Sequence, residues 1–172
     1  MLTYSKIIEV TLQPRKSLGQ HFLSDKNYCY KLIQYADVTS KDTVVEIGAG
    51  TGQLTKALLR IAHRVIAIEF DSAMIQHLKI QFGSLLGNRL GQLELVHADV
   101  LTLDWASLLN REPVKLIGNL PYNIATKILK SVLEVKYQFE DCTVMLQKEV
   151  AERILATPSG KAYGYFSLLM EY

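Results

Sequence analysis

Cysteine is scarce in this 172-residue chain, and the two present, Cys29 and Cys142, lie far apart. With no C-x-x-C pair and no Cys/His spacing, neither a disulfide framework nor a metal site is expected, and both read as reduced core residues of a cytosolic protein. The 4 prolines and 10 glycines are too few for a collagen-like or low-complexity chain, and charge, at 21%, is too low beside 49% hydrophobic residues for disorder. No apolar run reaches the roughly 18 residues a membrane-spanning helix needs, so no membrane partner is expected. The opening stretch, MLTYSKIIEVTLQPRKSLGQ, has no apolar core after its basic residues, so no secretory signal is expected and a cytoplasmic location follows. The length suits a single domain, expected here as a monomer over residues 1–172.

Net charge is only +2, but it is unevenly placed. Lys6, Arg15, Lys16, Lys26 and Lys31 stand against Glu9 and Asp25 in residues 1–35, a surplus of three, so the remainder sums to −1. A basic N-terminal arm, about residues 1–24, could meet nucleic-acid phosphates. A solvated charged segment explains the same residues.

Five β-branched runs stand out: Thr43–Ile47, Val65–Glu69, Leu93–His97, Val114–Ile117 and Cys142–Leu146. Each is nearly continuous in apolar character, as buried parallel strands are. Helical patterns lie before and between them. Ser24 or Asp25 can cap a helix running to about Ala36, and Leu54, Leu58 and Ile61 form a stripe. Asp71 or Ser72 opens another helix, with Met74, Ile75, Leu78 and Phe82. Ile124, Ile128, Leu129 and Val132 mark a further one, as do Val150, Ile154 and Leu155. The alternation predicts an α/β fold, a three-layer, doubly wound, mostly parallel sheet. Such domains usually continue with further strands beyond a turn like Thr157–Gly160. The expectation is therefore a fragment or a short version of a larger protein, its last strand left at an exposed edge.

Gly48-Ala49-Gly50-Thr51-Gly52 follows the first run and opens a helix. Glycines there let the backbone turn sharply and approach a ligand closely, at the carboxyl edge where such sheets bind nucleotides. Tight packing alone can also explain such a loop. The spacing is not the G-x-G-x-x-G of nicotinamide-dependent dehydrogenases, and no lysine follows as in a phosphate-binding P-loop. Glu69, 17 residues beyond Gly52, ends the next strand, where a carboxylate can accept from both ribose hydroxyls. Asp99 follows the third run and could accept from an adenine amino group. Asn119 follows the fourth. Any one of them alone reads as a turn residue or helix cap; three at successive strand ends point to one ligand.

Asn119-Leu120-Pro121-Tyr122 suits a particular chemical task. The lone pair of an exocyclic base amine is delocalised into the ring, so the nitrogen is a poor nucleophile. Acceptors held against the amino group favour a more tetrahedral, nucleophilic nitrogen, and the Asn119 side-chain oxygen and Leu120 carbonyl can serve. Pro121 keeps Leu120 out of the helical region, and Tyr122 offers a ring on which an extruded base can stack. An ordinary Asn-x-Pro turn before a helix is the competing reading.

These residues carry a resemblance to the ribosomal RNA adenine dimethyltransferases, the KsgA group. It rests on Arg15–Leu23, the Glu46–Gly52 loop, Gly118–Ile124, and Met145–Arg153 with Ala162-Tyr163-Gly164. The resemblance implies a Rossmann-like class I methyltransferase fold and S-adenosylmethionine as cofactor. It implies methylation of N6 of two adjacent adenines near the 3′ end of small-subunit ribosomal RNA, in ribosome biogenesis. By matching positions, His21, Leu23, Gly48, Gly50, Glu69, Asp99 and Asn119 would contact the cofactor, and Asn119, Leu120, Pro121 and Tyr122 would handle the base. Arg15, Lys16, Lys148 and Arg153 could touch RNA phosphates, although solvated charge explains them as well.

Two departures qualify the match. His21 stands where the family usually has asparagine, although histidine can still donate one hydrogen bond. Relatives also continue past the position of Tyr172 with two closing strands, a phenylalanine-bearing loop that forms the other wall of the base pocket, and a small helical domain absent from this sequence. Cofactor binding is therefore expected to survive better than catalysis. A non-catalytic ribosomal RNA-binding, assembly or transcription factor with the same fold is the alternative. The Asn119–Tyr122 stretch speaks against it and the missing base-clamping loop for it.

Overall fold

A computed structural model describes residues 7–9, 26–86, 92–109, 113–121, 123–165 and 167–168. Six strands form one wholly parallel sheet: β1 (Ile7–Glu9), β2 (Thr43–Ile47), β3 (Arg64–Glu69), β4 (Leu93–His97), β5 (Val114–Asn119) and β6 (Phe139–Leu146). Their order across the sheet is β1-β6-β5-β2-β3-β4. The chain thus builds outward from β2 through β3 to β4, then returns to the other side of β2 to lay down β5 and β6. Between β2 and β5 lies the point where the winding reverses, and the crevice beyond their carboxyl ends is where doubly wound sheets take ligands.

The helices are α1 (Lys26–Tyr35), α2 (Gln53–Leu58), α3 (Ser72–Phe82), α4 (Trp105–Leu109), α5 (Ala125–Glu134) and α6 (Lys148–Ile154). Helices α1, α2 and α3 cover one face of the sheet. Cys29, Leu32 and Ile33 pack there with Leu54, Leu58, Leu78 and Phe82 over Val44, Val65 and Ile117. On the other face α4, α5 and α6 set Trp105, Ile128, Leu129, Val132 and Ile154 over Val45, Ile47, Ile66 and Leu116. Alternate residues of β2 serve opposite faces, which is why its run is apolar without a break. Each large side chain so buried contributes about 1.5–3 kcal/mol. The three layers match the expected architecture.

The differences from expectation are local. Strand β1 falls inside the stretch read as a basic arm and pairs Ile7, Ile8 and Glu9 with Val144, Met145 and Leu146. The last strand, expected to be a bare edge, is therefore flanked over three of its eight residues. Strand β6 starts three residues before Cys142, because Phe139 is buried edge-on against Trp105, ring centroids 5.3 Å apart. That tryptophan sits on α4, a helix of five residues, too short to show a period in the sequence. Strand β5 runs two residues past Ile117 because Gly118 lies flush against β2: a Cβ there would stand 3.0 Å from the Ile47 carbonyl oxygen. Asp71 caps α3 as expected, its side chain accepting from the Ala73 N–H at 2.8 Å. Ser24 and Asp25, the expected caps of α1, lie outside the described residues. Neither cysteine forms a disulfide, Cys29 lying in the core and Cys142 partly buried. No helix among the described residues is long and apolar enough to cross a membrane.

Candidate active site

At the carboxyl edge the sheet opens into a cavity of about 400 Å³. It is bordered by the Gly48–Thr51 turn after β2, by Glu69, Phe70 and Asp71 after β3, by Ala98–Leu101 after β4 and by Asn119–Pro121 after β5. The glycine turn follows from its backbone. Gly48, Gly50 and Gly52 have φ of 76°, 53° and 77°, in the left-handed region where other residues are strained. Gly52 is further required by packing, since a Cβ would come within 2.8 Å of both Leu78 and Phe82.

Glu69 is only 7% exposed. One carboxylate oxygen accepts from the Gly50 N–H at 2.8 Å and the other from the Asp71 N–H at 2.8 Å. The residue thus ties the turn after β2 to the start of α3. Each oxygen keeps a further lone pair, so the carboxylate can hold the turn and still accept from a diol. Asp99 has a divided role: one oxygen accepts from the Leu101 N–H at 2.9 Å, as a turn residue's would. Its other oxygen has no partner among the described residues.

Leu120 is buried, and its N–H donates to the Met145 carbonyl at 3.2 Å, fastening the turn to β6. Among the described residues nothing donates to the Leu120 carbonyl. The Pro121 carbonyl accepts from the Ile124 N–H at 3.2 Å and so leads into α5. The cavity therefore gathers Gly48, Gly50, Glu69, Asp99, Asn119, Leu120 and Pro121 of the expected set. His21, Leu23, Tyr122, Arg15 and Lys16 lie outside the described residues. Of the two other basic candidates, Lys148 pairs with Glu152 one turn along α6 at 3.7 Å, and Arg153 is exposed. The Ala162–Gly164 stretch is fastened to α6, where the Ser167 hydroxyl accepts from the Gly164 N–H and donates to the Arg153 carbonyl.

Phe70 borders the cavity with 71% of its surface exposed, and sequence reasoning missed it. Its available signal was its place directly after the acidic strand end at the ligand-binding edge. His97 Nε2, which can only donate to a carbonyl, lies 3.1 Å from the Phe70 oxygen and steadies that backbone. No cluster of three or more metal-ligating side chains occurs among the described residues.

The chain as a whole is similar to known proteins. The family profile described as ribosomal RNA adenine dimethylase matches residues 11–172. The ribosomal RNA small subunit methyltransferase A of Lactiplantibacillus plantarum is 40% identical over 166 residues, 94% of this chain and 54% of that protein. Among solved structures, a dimethyladenosine transferase from Plasmodium falciparum superposes with a TM-score of 0.74 at 31% identity, over 88% of this chain and 52% of that one. The 23S rRNA methyltransferase ErmE gives a TM-score of 0.66 at 28% identity, over 77% and 50%. The chain spans about half the length of the curated relatives it matches. With a profile that covers all but its first ten residues and a relative 40% identical over 94% of its length, the chain belongs to the ribosomal RNA adenine dimethylase family.

Proposed function

We propose that this chain binds S-adenosylmethionine in the cavity between β2 and β5 and directs its methyl group to N6 of adenine in small-subunit ribosomal RNA. The two adjacent adenines near the 3′ end are the proposed targets and the cytoplasm the proposed compartment. One observation carries the reading: Glu69 and the Asn119–Pro121 turn border the same cavity.

The residues present fit the cofactor. Glu69 has lone pairs to spare for the ribose hydroxyls, and Asp99 has an uncommitted oxygen for the adenine amine. Phe70 offers a flat apolar surface beside them, and the backbone at Gly48 and Gly50 carries no side chain to obstruct the methionine part. His21, Leu23 and Asn119 complete the proposed set. Bound there, S-adenosylmethionine supplies an electrophilic methyl, its carbon–sulfur bond breaking as the amine nitrogen attacks.

The chain's own groups prepare that nitrogen. The Asn119 side-chain oxygen and the Leu120 carbonyl accept its two N–H bonds, drawing the lone pair out of the ring. Tyr122 stacks on the base. The methylated ammonium then loses a proton to water, so no carboxylate base is needed. The test is transfer of labelled methyl to small ribosomal subunits lacking the adenine dimethylation, with Asn119→Ala alongside. Label on adenine N6, lost in the variant, is expected. No label from a chain that binds S-adenosylhomocysteine would leave a binding protein and end the transferase reading.

A further inference from the structure

Two residues before the glycine turn, in the middle of the sheet, stands a carboxylate to which the proposed reaction gives no task. Glu46 is 1% exposed and is flanked in register by Ala67 of β3 and Ile117 of β5, both apolar and buried. Acidic side chains are almost never so deeply buried without a partner. Its partner is Thr55, itself fully buried, whose hydroxyl donates to Glu46 Oε2 at 2.6 Å. Thr55 lies in the first turn of α2, three residues after Gly52. The bond therefore spans the base of the Gly48–Gly52 loop, joining the strand that enters it to the helix that leaves it.

We propose that Glu46 is a positioning residue for the cofactor cradle: acting through Thr55, it fixes the first turn of α2 against β2 and so sets the curvature in which Gly48 and Gly50 meet the ligand. The proposal rests on reading the cavity as the S-adenosylmethionine site. Glu69 holds the same loop from the β3 side through the Gly50 N–H, so the loop is fixed at its crest by one carboxylate and at its base by another.

The surroundings say in which form Glu46 acts. Burial pushes its carboxyl up to about 8, against the lowering effect of the Thr55 donors, and Glu69 facing it from β3 raises it further. From β5 it meets apolar Ile117, and the charged Lys56 of α2 is exposed on the outer side of that helix. Near neutrality the group is therefore mostly a carboxylic acid, and glutamine is its close mimic. A raised folded-state value places more protons on the folded than on the unfolded chain. Stability from this group is thus full below its ordinary 4.5 and is lost as pH rises through about 8.

The experiment measures S-adenosylhomocysteine affinity by calorimetry and thermal unfolding from about pH 5 to pH 8, for the unsubstituted chain, Glu46→Gln, Glu46→Ala and Thr55→Val. Affinity is expected to fall about tenfold in Glu46→Ala and Thr55→Val, measured well below their melting temperatures, and to return to within about twofold in Glu46→Gln. The melting temperature of Glu46→Gln should also gain on that of the unsubstituted chain as pH rises. Unchanged affinity in Thr55→Val, with the unsubstituted chain binding, would overturn this proposal alone. A tenfold loss in a well-folded Glu46→Gln would overturn it too, since the charge and not the clamp would then matter. Absence of binding by the unsubstituted chain would overturn it together with the reading of the cavity.

Discussion

The two edges of the sheet treat their polar groups in opposite ways. At the amino edge, Lys115 enters from β5, 8% exposed, and donates from Nζ to the Asp37 carbonyl at 2.7 Å and to Asp42 Oδ2 at 3.0 Å. Asp42 also accepts from the Thr39 N–H at 2.6 Å and the Thr39 hydroxyl at 3.0 Å. Burial works to raise the Asp42 carboxyl, but the Thr39 N–H, the Lys115 ammonium and the Thr39 hydroxyl together hold it below its usual value. That edge is a closed knot. At the carboxyl edge Glu69 and Asp99 spend only part of their capacity on the protein, and the Leu120 carbonyl has no partner among the described residues. One edge uses its hydrogen bonds to close the fold, and the other keeps acceptors in reserve along a cavity.

If that contrast holds, damage to the two edges should separate stability from binding. The largest effect should come from Lys115→Ala, which leaves a mostly buried carboxylate without its cation. A loss of about 2–4 kcal/mol in urea unfolding is expected, with S-adenosylhomocysteine affinity unchanged wherever the variant is folded. The same knot should show in acid: because the Asp42 value is depressed in the fold, its stabilisation is present above the ordinary 3.8 and is lost as pH falls below it. Lys115→Ala should flatten that part of the pH–stability curve.

Glu69→Ala should act on binding, weakening S-adenosylhomocysteine by about 1–3 kcal/mol, the scale of a lost charge-assisted hydrogen bond, and should also lower stability, since the Gly50 and Asp71 N–H groups lose their acceptor. An unchanged dissociation constant would remove Glu69 from the ribose. Phe70→Ala should cost about 1 kcal/mol of affinity, the lower end for a base on an aromatic ring, and leave thermal stability alone because the side chain is exposed. Smallest of all, Lys148→Ala breaks an exposed pair on α6 and should move stability by less than about 0.5 kcal/mol. A larger change in either edge's variable would mean that the edges are coupled.

Much of this was legible from residues that act locally. The β-branched runs located five strands within a few residues, and polar residues at successive strand ends located the cavity, because a parallel sheet brings all its carboxyl ends to one edge. Ile7–Glu9 was not legible: three residues carry no period, and their place depends on a partner strand more than 130 positions later. Lys115 sits inside an apolar run, and only the fold brings Asp42, 73 residues earlier, within reach. The Glu46–Thr55 bond is nearer in sequence, nine residues apart, but the loop must first turn back on itself before the two can meet. Phe70 was missed for a different reason, since an exposed aromatic ring conflicts with the habit of assigning such residues to the core.

Gly118 has a consequence for rate. The ladder that pairs Val44–Ile47 with Lys115–Gly118 is the seam between the half of the sheet bearing Glu69 and Asp99 and the half bearing Asn119 and Leu120. In the proposed reaction Glu69 and Asp99 hold the methyl donor from the first half while Leu120 holds the adenine from the second, with Asn119 meeting both, so the width of this seam acts as a ruler between carbon and nitrogen. Gly118 sets that width at the end nearest the chemistry, where even a methyl group would press on the Ile47 carbonyl. Alanine there would part the halves by a few tenths of an ångström, leaving each able to grip its own ligand while the approach of the reacting atoms, to which methyl transfer is most sensitive, is lengthened.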